Sequence, residues 1–358
     1  MTAPPLVAIY RAPVFNPSET FIQAQAASLA RYRPLIVGRQ DKGGAIPPLE
    51  GKTLIGGRLA ARLRPFAPAL VHAHFGTDGL AALPIARRLG VPLVTTLHGH
   101  EIGRSRRALL LSGRLSWQRY ALFRGRLMRG GDLFLAVSES IRRAAIAQGF
   151  PEARTFTHHV GVDLGRFRPG DAPDPGLILH VGRLVEKKGT GALIDAVARL
   201  EGARLAVIGD GPLRAALERR AVGLPVTFLG ALRPDEVRQW MRRAWLLAAP
   251  SVTAADGDRE GLPTVVVEAA ASGLPIVATD HSGIPEAVTD GATGFLVPER
   301  DVAALADRLS RLLGSADLRM RMSAEARALA EARFDLARQT AILEGHYDRL
   351  LSARSDPP

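Results

Sequence analysis

Two glutamates in the second half of the sequence are placed where they could bind hydroxyl groups. Glu260 and Glu268 are separated by Gly-Leu-Pro and an apolar run, in EGLPTVVVEAAASG. The valines favour a strand, but the alanines before a glycine favour a helix that ends there, and LPIVATD is the next strand. We therefore predict a helix that begins near Pro263, with Glu260 in the preceding loop and Glu268 in its second turn.

The start of this helix would place anion-binding groups between the two carboxylates. The first amides of a helix have no partner within it, and those of Gly261, Leu262 and Thr264 would point toward one region. A carboxylate accepts hydrogen bonds from vicinal hydroxyls, so the pattern suits a sugar attached to a phosphate. Taken singly, each glutamate is better explained as a solvated surface residue.

Basic residues follow an earlier apolar run, in LILHVGRLVEKKGTGALIDAV. The predicted strand Leu177–Val181 leads into Gly182 and Arg183, and Lys187 and Lys188 precede an amphipathic helix. Arg183 and Lys188 flank a turn at a helix N-terminus, which adds about half a positive charge. The arrangement suits a diphosphate, and the alternative is that both are solvated loop charges.

The elements that must position these residues alternate along the whole chain. Short apolar runs, each followed by a stretch of helical periodicity, indicate buried parallel strands in doubly wound sheets. The predicted strands are Leu6–Tyr10, Leu35–Val37, Leu70–Phe75, Leu93–His98, Leu133–Val137, Phe156–Val162, Leu177–Val181, Leu205–Ile208, Val226–Leu229, Trp245–Ala249, Ile276–Ala278 and Phe295–Val297.

The alternation is interrupted once, at the Pro- and Gly-rich segment GRFRPGDAPDPG, residues 165–176. We therefore predict two Rossmann-like α/β domains, 1–168 and 169–335, with a C-terminal helix over about 336–358 that packs back on the first. Ligands bind at the carboxyl ends of the strands in such sheets, so we expect the two domains to face each other across a ligand-binding cleft.

Composition narrows the function classes. The 358 residues are 47% hydrophobic and 23% charged, which is globular, and the absence of cysteine excludes disulfides and thiolate metal sites. The net charge of +12 favours an anionic partner. The N-terminus, MTAPPLVAIYRAP, resembles no secretory leader, and no segment approaches about 18 uninterrupted apolar residues. We expect a cytoplasmic protein.

The order of these motifs resembles the retaining glycosyltransferases of the GT-B fold, and within them the family 4 enzymes of the bacterial exopolysaccharide and colanic-acid type. The matching segments are SETFI (18–22), HAHFG (72–76), TLHGHE (96–101), AVSESI (136–141), GVDLGRF (161–167), GRLVEKKG (182–189), the Glu260–Glu268 pair and ASGLPIVATDHSGIPE (271–286).

This resemblance implies roles for individual residues. Arg183 and Lys188 would bind the donor diphosphate and Glu268 the ribose hydroxyls, while Glu260 and His98 would contact the transferred sugar. His100 fits the same local pattern as His98, and Glu101 would help to orient a histidine. The residues that we expect to bind the nucleotide sugar are Gly182, Arg183, Lys188, Gly261, Leu262, Thr264 and Glu268, and those that we expect to be catalytic are His98, Arg183, Lys188 and Glu260.

The implied reaction moves a sugar from a nucleotide-sugar donor to a hydroxyl of a lipid-linked or oligosaccharide acceptor, with retention of configuration. Arg183, Lys188 and the helix N-terminus take the place of a cation, so we expect neither a metal nor another cofactor. A nucleotide-sugar epimerase of the same fold is the nearest alternative. It would release nucleoside diphosphate without an acceptor.

The sequence departs from the family pattern in two places. Leu262-Pro263 stands where many relatives have Phe-Gly, which removes one backbone donor near the phosphate. The loop after the first strand, RAPVFNPSETFI, replaces a Gly-rich loop, and we expect Thr20 and Gln23 to form a capping box there.

Two further features leave alternatives open. His72 and His74 alternate on a predicted strand, and with only Asp78 as a third candidate ligand we favour a structural pair over a metal site. Residues 101–145 contain ten arginines, three acidic residues and interleaved aromatic residues. This stretch is either an ordinary helix with solvated arginines or a basic amphipathic helix that binds an anionic bilayer. A nucleic-acid-binding function lacks any accompanying motif, so no nucleic-acid partner is expected.

Overall fold

The chain forms two compact units. The first comprises residues 1–161 and 336–358, and the second comprises residues 162–335, whereas the sequence placed the boundary between 168 and 169. The computed structural model describes residues 3–15, 19–43, 49, 53–170 and 173–355. Ser18 of the SETFI motif therefore lies outside the described residues.

The first unit contains a seven-stranded sheet. Its strands are β1 (Leu6–Tyr10), β2 (Arg33–Gly38), β3 (Thr53–Ile55), β4 (Leu70–His74), β5 (Leu93–Leu97), β6 (Leu133–Ala136) and β7 (Thr155–Thr157). Its helices are α1 (Thr20–Ala27), α2 (Leu59–Leu63), α3 (Gly76–Leu89), α4 (His100–Gly103), α5 (Arg106–Leu110), α6 (Leu115–Gly130), α7 (Glu139–Ala147) and the C-terminal α14 (Leu336–Ser355).

The second unit contains a six-stranded sheet. Its strands are β8 (Leu177–Val181), β9 (Arg204–Ile208), β10 (Val226–Gly230), β11 (Leu246–Ala249), β12 (Ile276–Thr279) and β13 (Gly294–Val297). Its helices are α8 (Thr190–Val197), α9 (Arg214–Arg220), α10 (Pro234–Arg243), α11 (Thr264–Ala271), α12 (Val302–Gly314) and α13 (Ala316–Arg333).

Both sheets are parallel and doubly wound. The strand orders are β3-β2-β1-β4-β5-β6-β7 and β10-β9-β8-β11-β12-β13, so the winding reverses between β1 and β4 and between β8 and β11. The central strands β4, β5, β6, β11 and β12 are buried along their whole length, as expected for parallel strands that are covered on both faces. Ligands bind at such switch points in open α/β sheets, beyond the carboxyl ends of the strands.

The C-terminal helix α14 is part of the first unit. Leu343 and Tyr347 are fully buried beside Val7 and Ile9 of β1. The buried Glu344 carboxylate accepts hydrogen bonds from the amides of Ala30 (2.8 Å) and Arg31 (2.7 Å). No helix in the described ranges combines the length and the hydrophobicity needed to cross a lipid bilayer.

One strand was missed and two local predictions were wrong. The strand β3 was not predicted, because three half-buried residues give too short a signal. The strand predicted over Phe156–Val162 is only Thr155–Thr157. The capping box is absent: α1 follows the N-cap residue Glu19, whose side chain makes no capping bond. The Glu19 carboxylate instead accepts hydrogen bonds from Nε (2.7 Å) and Nη2 (2.6 Å) of Arg11.

Candidate functional site

The loop after β8 carries the predicted basic residues. A 3-10 helix covers Glu186–Lys188, and α8 begins directly after Gly189. The Lys188 stem lies across Gly182, where an added Cβ would come within 3.0 Å of Lys188 Cε. The glycine therefore leaves room for the Lys188 side chain, and a larger residue would push against it.

Lys188 and Glu260 contact each other directly. Lys188 Nζ lies 3.1 Å from Glu260 Oε1, and Lys187 Nζ lies 3.6 Å from the same oxygen and 3.3 Å from Asp258 Oδ1. These side chains are largely buried, with 15% of Lys188 and 10% of Glu260 exposed. The contact follows from topology, because the two residues lie in the loops after β8 and β11, which are neighbours at the switch point.

The predicted helix start is confirmed. Pro263 is the N-cap residue and α11 begins at Thr264. Within the described ranges, the amides of Leu262, Thr264 and Val265 donate no hydrogen bond. These donors follow Glu260 directly, so an anion beside Glu260 could accept hydrogen bonds from them.

Glu268 lies in the second turn of α11, as predicted. No donor in the described part of the chain hydrogen-bonds to its half-buried carboxylate. Burial raises the pKa of Glu268 to about 7, although the charge of Arg238 acts to lower it. A desolvated carboxylate without a partner is suited to accept hydrogen bonds from ligand hydroxyls.

Arg183 is the exposed member of the predicted set. Its guanidinium makes no hydrogen bond or ion pair with any residue that the structure describes. It follows Gly182 at the end of β8, the central strand at the switch point. The structure thus joins Lys188 and Glu260 in one ion-paired group, while Arg183 and Glu268 remain available to a ligand.

Sequence reasoning missed the residues that support this group. Gly209 follows β9 with φ of +134°, and an added Cβ would lie 1.9 Å from the carbonyl oxygen of Gly182, so only glycine fits. The Gly-Asp-Gly sequence at 209–211, directly after a predicted strand, could have indicated this turn. The loop after β12 was also missed: the Glu260 amide donates to Nε2 of His281 (3.1 Å), and its carbonyl accepts from Ser282 Oγ (2.6 Å).

In the first unit, His98 follows β5 and belongs to a cluster of aromatic rings. Its Nε2 lies 3.1 Å from Nδ1 of His74, and its ring centroid lies 4.3 Å from that of Phe75 and 5.2 Å from that of Phe21. Burial lowers the pKa of His98 well below 6.5, and the charge of Arg11 lowers it further. His98 is therefore a neutral imidazole at neutral pH.

Glu101 holds the backbone around His98 rather than its ring. Its buried Oε1 accepts hydrogen bonds from the amides of His98 (3.0 Å) and Gly76 (3.0 Å), which joins the loops after β5 and β4. His100 is half-buried against Phe75, with ring centroids 5.6 Å apart. The structure thus gives Glu101 a direct part in placing His98.

His72 and His74 have protein partners. Their rings stack at 4.6 Å, and His72 bonds to the hydroxyls of Tyr347 (2.6 Å) and Thr96 (2.7 Å). Asp78, the third candidate ligand, accepts hydrogen bonds from Nη1 of Arg11 (2.7 Å) and the amide of Ala12 (2.9 Å). Within the described ranges, no group of three His, Asp or Glu side chains is arranged to hold a metal ion.

The basic stretch contains an exposed apolar surface on α6 and the turn before it. Four large apolar side chains project into solvent there: Leu111 (74% exposed), Leu115 (70%), Leu122 (53%) and Phe123 (39%). Exposed arginines 114, 119 and 126 lie among them, and the Arg126 guanidinium stands 4.7 Å from the Phe123 ring centroid.

Each unit contains a segment that matches a known protein family. Residues 24–166 match the family described as Glycosyltransferase Family 4, and residues 175–315 match the family described as Glycosyl transferases group 1. The chain is 35% identical over 276 residues to the putative colanic acid biosynthesis glycosyltransferase WcaL of Salmonella typhimurium, covering 73% of this chain and 66% of WcaL. The match thus spans just under two thirds of that relative's length.

A second relative and a solved structure are also similar to this chain. The amylovoran biosynthesis glycosyltransferase AmsK of Erwinia amylovora is 35% identical over 299 residues, covering 79% of this chain and 71% of AmsK. The crystal structure of Anabaena Alr3699/HepE in complex with UDP and glucose superimposes with a TM-score of 0.80 at 21% identity, covering 96% of this chain and 99% of that chain. The fold predicted from sequence, two Rossmann-like α/β units of the GT-B type, is confirmed.

Proposed function

We propose, since this chain belongs to glycosyltransferase family 4, that it transfers a sugar from a nucleotide-sugar donor to a hydroxyl group in cell-surface polysaccharide biosynthesis. The acceptor is a lipid-linked sugar or an oligosaccharide, and the sugar keeps its anomeric configuration. The ion-paired Lys188–Glu260 contact beside the unpartnered amides of α11 carries this proposal. The names of WcaL and AmsK support the polysaccharide context, and the UDP bound to HepE supports a nucleotide donor.

Each group is suited to one part of the donor. Arg183, Lys188 and the amides of Leu262 and Thr264 bind the diphosphate, and Glu268 accepts hydrogen bonds from the ribose hydroxyls. Gly182 and Gly261 keep the backbone close to the phosphates. Glu260 contacts the transferred sugar, and His98 of the first unit contributes a further sugar contact. Lys188 carries three N–H donors, so it can keep its ion pair with Glu260 while it binds a phosphate oxygen.

The chemistry follows from where charge develops. As the bond between the sugar and the diphosphate breaks, negative charge grows on the departing phosphate oxygens. Arg183, Lys188 and the α11 N-terminus stabilise that charge, and removing one such preorganised group costs on the order of 10²-fold in rate. The proposal assigns these groups the work of a metal ion, so a chelator should leave the transfer rate unchanged.

The test combines nucleotide binding with acceptor dependence. We expect thermal stabilisation by one of UDP, GDP and ADP, and release of that nucleotide from its sugar donor only when an acceptor is present. Release without an acceptor would indicate the epimerase instead. The absence of stabilisation by every nucleotide diphosphate and nucleotide sugar would contradict the proposed function.

We further propose that α6 and the turn before it bind an anionic membrane surface. The observation that favours this partner is the exposure of Leu111 and Leu115 among exposed arginines, a combination that binds the headgroup region. Co-sedimentation with phosphatidylglycerol vesicles should fall with salt and in Leu115→Asp, but not in Val222→Asp, a control residue 80% exposed in the second unit. Equal binding to duplex DNA would contradict this partner.

A further inference from the structure

The loop that carries Glu260 has no regular secondary structure of its own. It runs from the end of β11 at Ala249 to the start of α11 at Thr264. A loop of this length needs tertiary contacts to hold a side chain in one place. On one side, the Glu186–Lys188 turn supplies such contacts, among them the bond from the Val252 amide to the Lys187 carbonyl (2.8 Å).

On its other side, the loop is held by residues that follow β12. The amide of Glu260 donates to Nε2 of His281 (3.1 Å), and the carbonyl of Glu260 accepts from Ser282 Oγ (2.6 Å). The amide of Gly283 donates to the carbonyl of Gly261 (3.0 Å). Three consecutive residues therefore fix the peptide groups on both sides of Glu260.

The hydrogen bonds determine the tautomer of His281. A backbone amide can only donate, so Nε2 must be the unprotonated nitrogen and the proton is on Nδ1. Nδ1 donates to Oε1 of Glu299 at 2.7 Å. The Glu299 carboxylate also accepts from the amide of Thr253 (2.9 Å), so the same pair holds the loop near its start. His281 is 2% exposed, so these hydrogen bonds are shielded from bulk water.

We propose that His281 is a positioning residue for Glu260, which it holds through the Glu260 amide while Glu299 orients the imidazole. This inference rests on the proposed function, in which Glu260 contacts the transferred sugar. It assigns a role to the His-Ser-Gly sequence at 281–283, which the donor contacts leave unexplained. Residues that orient metal ligands through hydrogen bonds change activity by about 10- to 100-fold when they are replaced, and we expect a similar range for a residue that orients Glu260.

Two substitutions at this position separate the two hydrogen bonds. In His281→Gln, the amide oxygen can take the place of Nε2 and accept from the Glu260 amide, whereas in His281→Asn only the contact with Glu299 can be kept. We expect the kcat/KM for the nucleotide sugar to fall about 10- to 100-fold in His281→Asn and less than about 3-fold in His281→Gln. Affinity for the nucleoside diphosphate alone should change by less than about 3-fold in both, because that ligand lacks the sugar.

The probes are UDP with UDP-glucose, then GDP with GDP-mannose and ADP with ADP-glucose, and the first pair that the wild-type chain binds is used. Equal kcat/KM in the Gln and Asn variants, or equal losses for the diphosphate and the nucleotide sugar, would overturn the inference. Ser282→Ala removes the hydrogen bond to the Glu260 carbonyl. It provides an independent test if the His281 variants fail to fold. In Ser282→Ala we expect the kcat/KM for the nucleotide sugar to fall about 3- to 10-fold, again with little change in the affinity for the nucleoside diphosphate.

Hydrogen exchange without any ligand keeps this test separate from the proposed function. The amide of Glu260 should exchange faster in His281→Asn than in the wild type, and at nearly the wild-type rate in His281→Gln. Unchanged exchange in His281→Asn would contradict the positioning role whatever the chain binds. If exchange changes as expected but the wild type binds no nucleotide, the proposed function fails and the structural role of His281 stands.

Discussion

The two units arrange polar groups at their sheet edges in opposite ways. In the second unit the candidate site consists of charges, with Lys188 and Glu260 ion-paired at 3.1 Å and Arg183 exposed. In the first unit the rings of His72, His74 and His98 lie together, and burial lowers the pKa of each. The candidate site of the second unit therefore has an exposed formal charge in Arg183, while the cluster around His98 consists of neutral rings.

This difference matches what each edge is proposed to contact. A departing diphosphate gains negative charge, so cations and helix amides stabilise it more in the transition state than in the ground state. Sugar hydroxyls carry no charge, and a neutral imidazole can donate or accept a hydrogen bond without the desolvation cost of a buried cation. The comparison predicts that substitutions in the second unit cost more activity than substitutions in the first.

The largest effect is expected for Lys188→Ala. This change removes a cation from the diphosphate and leaves the largely buried Glu260 carboxylate with a weaker partner, so the transfer rate should fall about 10²- to 10³-fold. Initial rates with saturating donor measure it, and Lys42→Ala, an exposed lysine of the first unit, is the control. If the transfer rate of Lys188→Ala lies within a few-fold of that of Lys42→Ala, the expectation that charged groups of the second unit contribute most to activity is contradicted.

A smaller effect is expected for His98→Ala, about 10- to 10²-fold in transfer rate. Burial and the nearby Arg11 hold the pKa of His98 well below 6.5, so the ring stays neutral between about pH 6.5 and pH 8. The ratio of wild-type to variant rate should therefore be the same at both ends of this range. A ratio that changes with pH would show that the first unit also relies on a charged group.

The smallest effect concerns stability. Burial raises the pKa of Glu268 from an unperturbed value of 4.5 to about 7, so between these values the folded chain holds a proton that the unfolded chain has lost. Stability therefore falls as the pH rises through this window. Glu268→Gln removes the cost of ionising this desolvated carboxyl group. Relative to the wild type, its free energy of unfolding should therefore rise by about 1–2 kcal/mol between about pH 5 and pH 8, after allowance for solvent screening.

Chemical denaturation of wild type and Glu268→Gln at both pH values measures this gain. Glu201→Gln, at an exposed glutamate of the same unit, is the matched control and should show no such difference. The buried histidines of the first unit give a background of opposite sign, because their lowered pKa values make stability rise with pH. A Glu268→Gln gain that is independent of pH would show that the carboxyl group is not desolvated.

The sequence predicted the sheet strands where burial on both faces made them predominantly apolar. β8, β11 and β12 are of this kind, and Pro263 and Gly273 marked the ends of α11. The prediction failed where the segment taken for a strand continued after the chain had left the sheet. The segment from Phe156 to Val162 is one such case, because the strand ends at Thr157 and the next residues are two histidines.

The supporting contacts of the site could not be predicted from local patterns. The pairing of Lys187 with Asp258 and of His281 with Glu260 joins residues 71 and 21 positions apart. Nothing in the spacing of these residues encodes the contacts, which depend on the order β8-β11-β12 in the sheet. The ion pair between Arg11 and Asp78 has the same origin, since it joins the loop after β1 to the first turn of α3, which follows β4.

Nucleotide binding to Arg183→Ala tests the central claim most directly. Arg183 is exposed and has no partner in the described part of the chain, so its removal should not disturb the fold. Calorimetric titration with UDP, GDP and ADP should show that the wild type binds at least one and that Arg183→Ala binds it about 10- to 100-fold more weakly at the same melting temperature. Equal affinity of the two proteins for that nucleotide would contradict a diphosphate site at the end of β8.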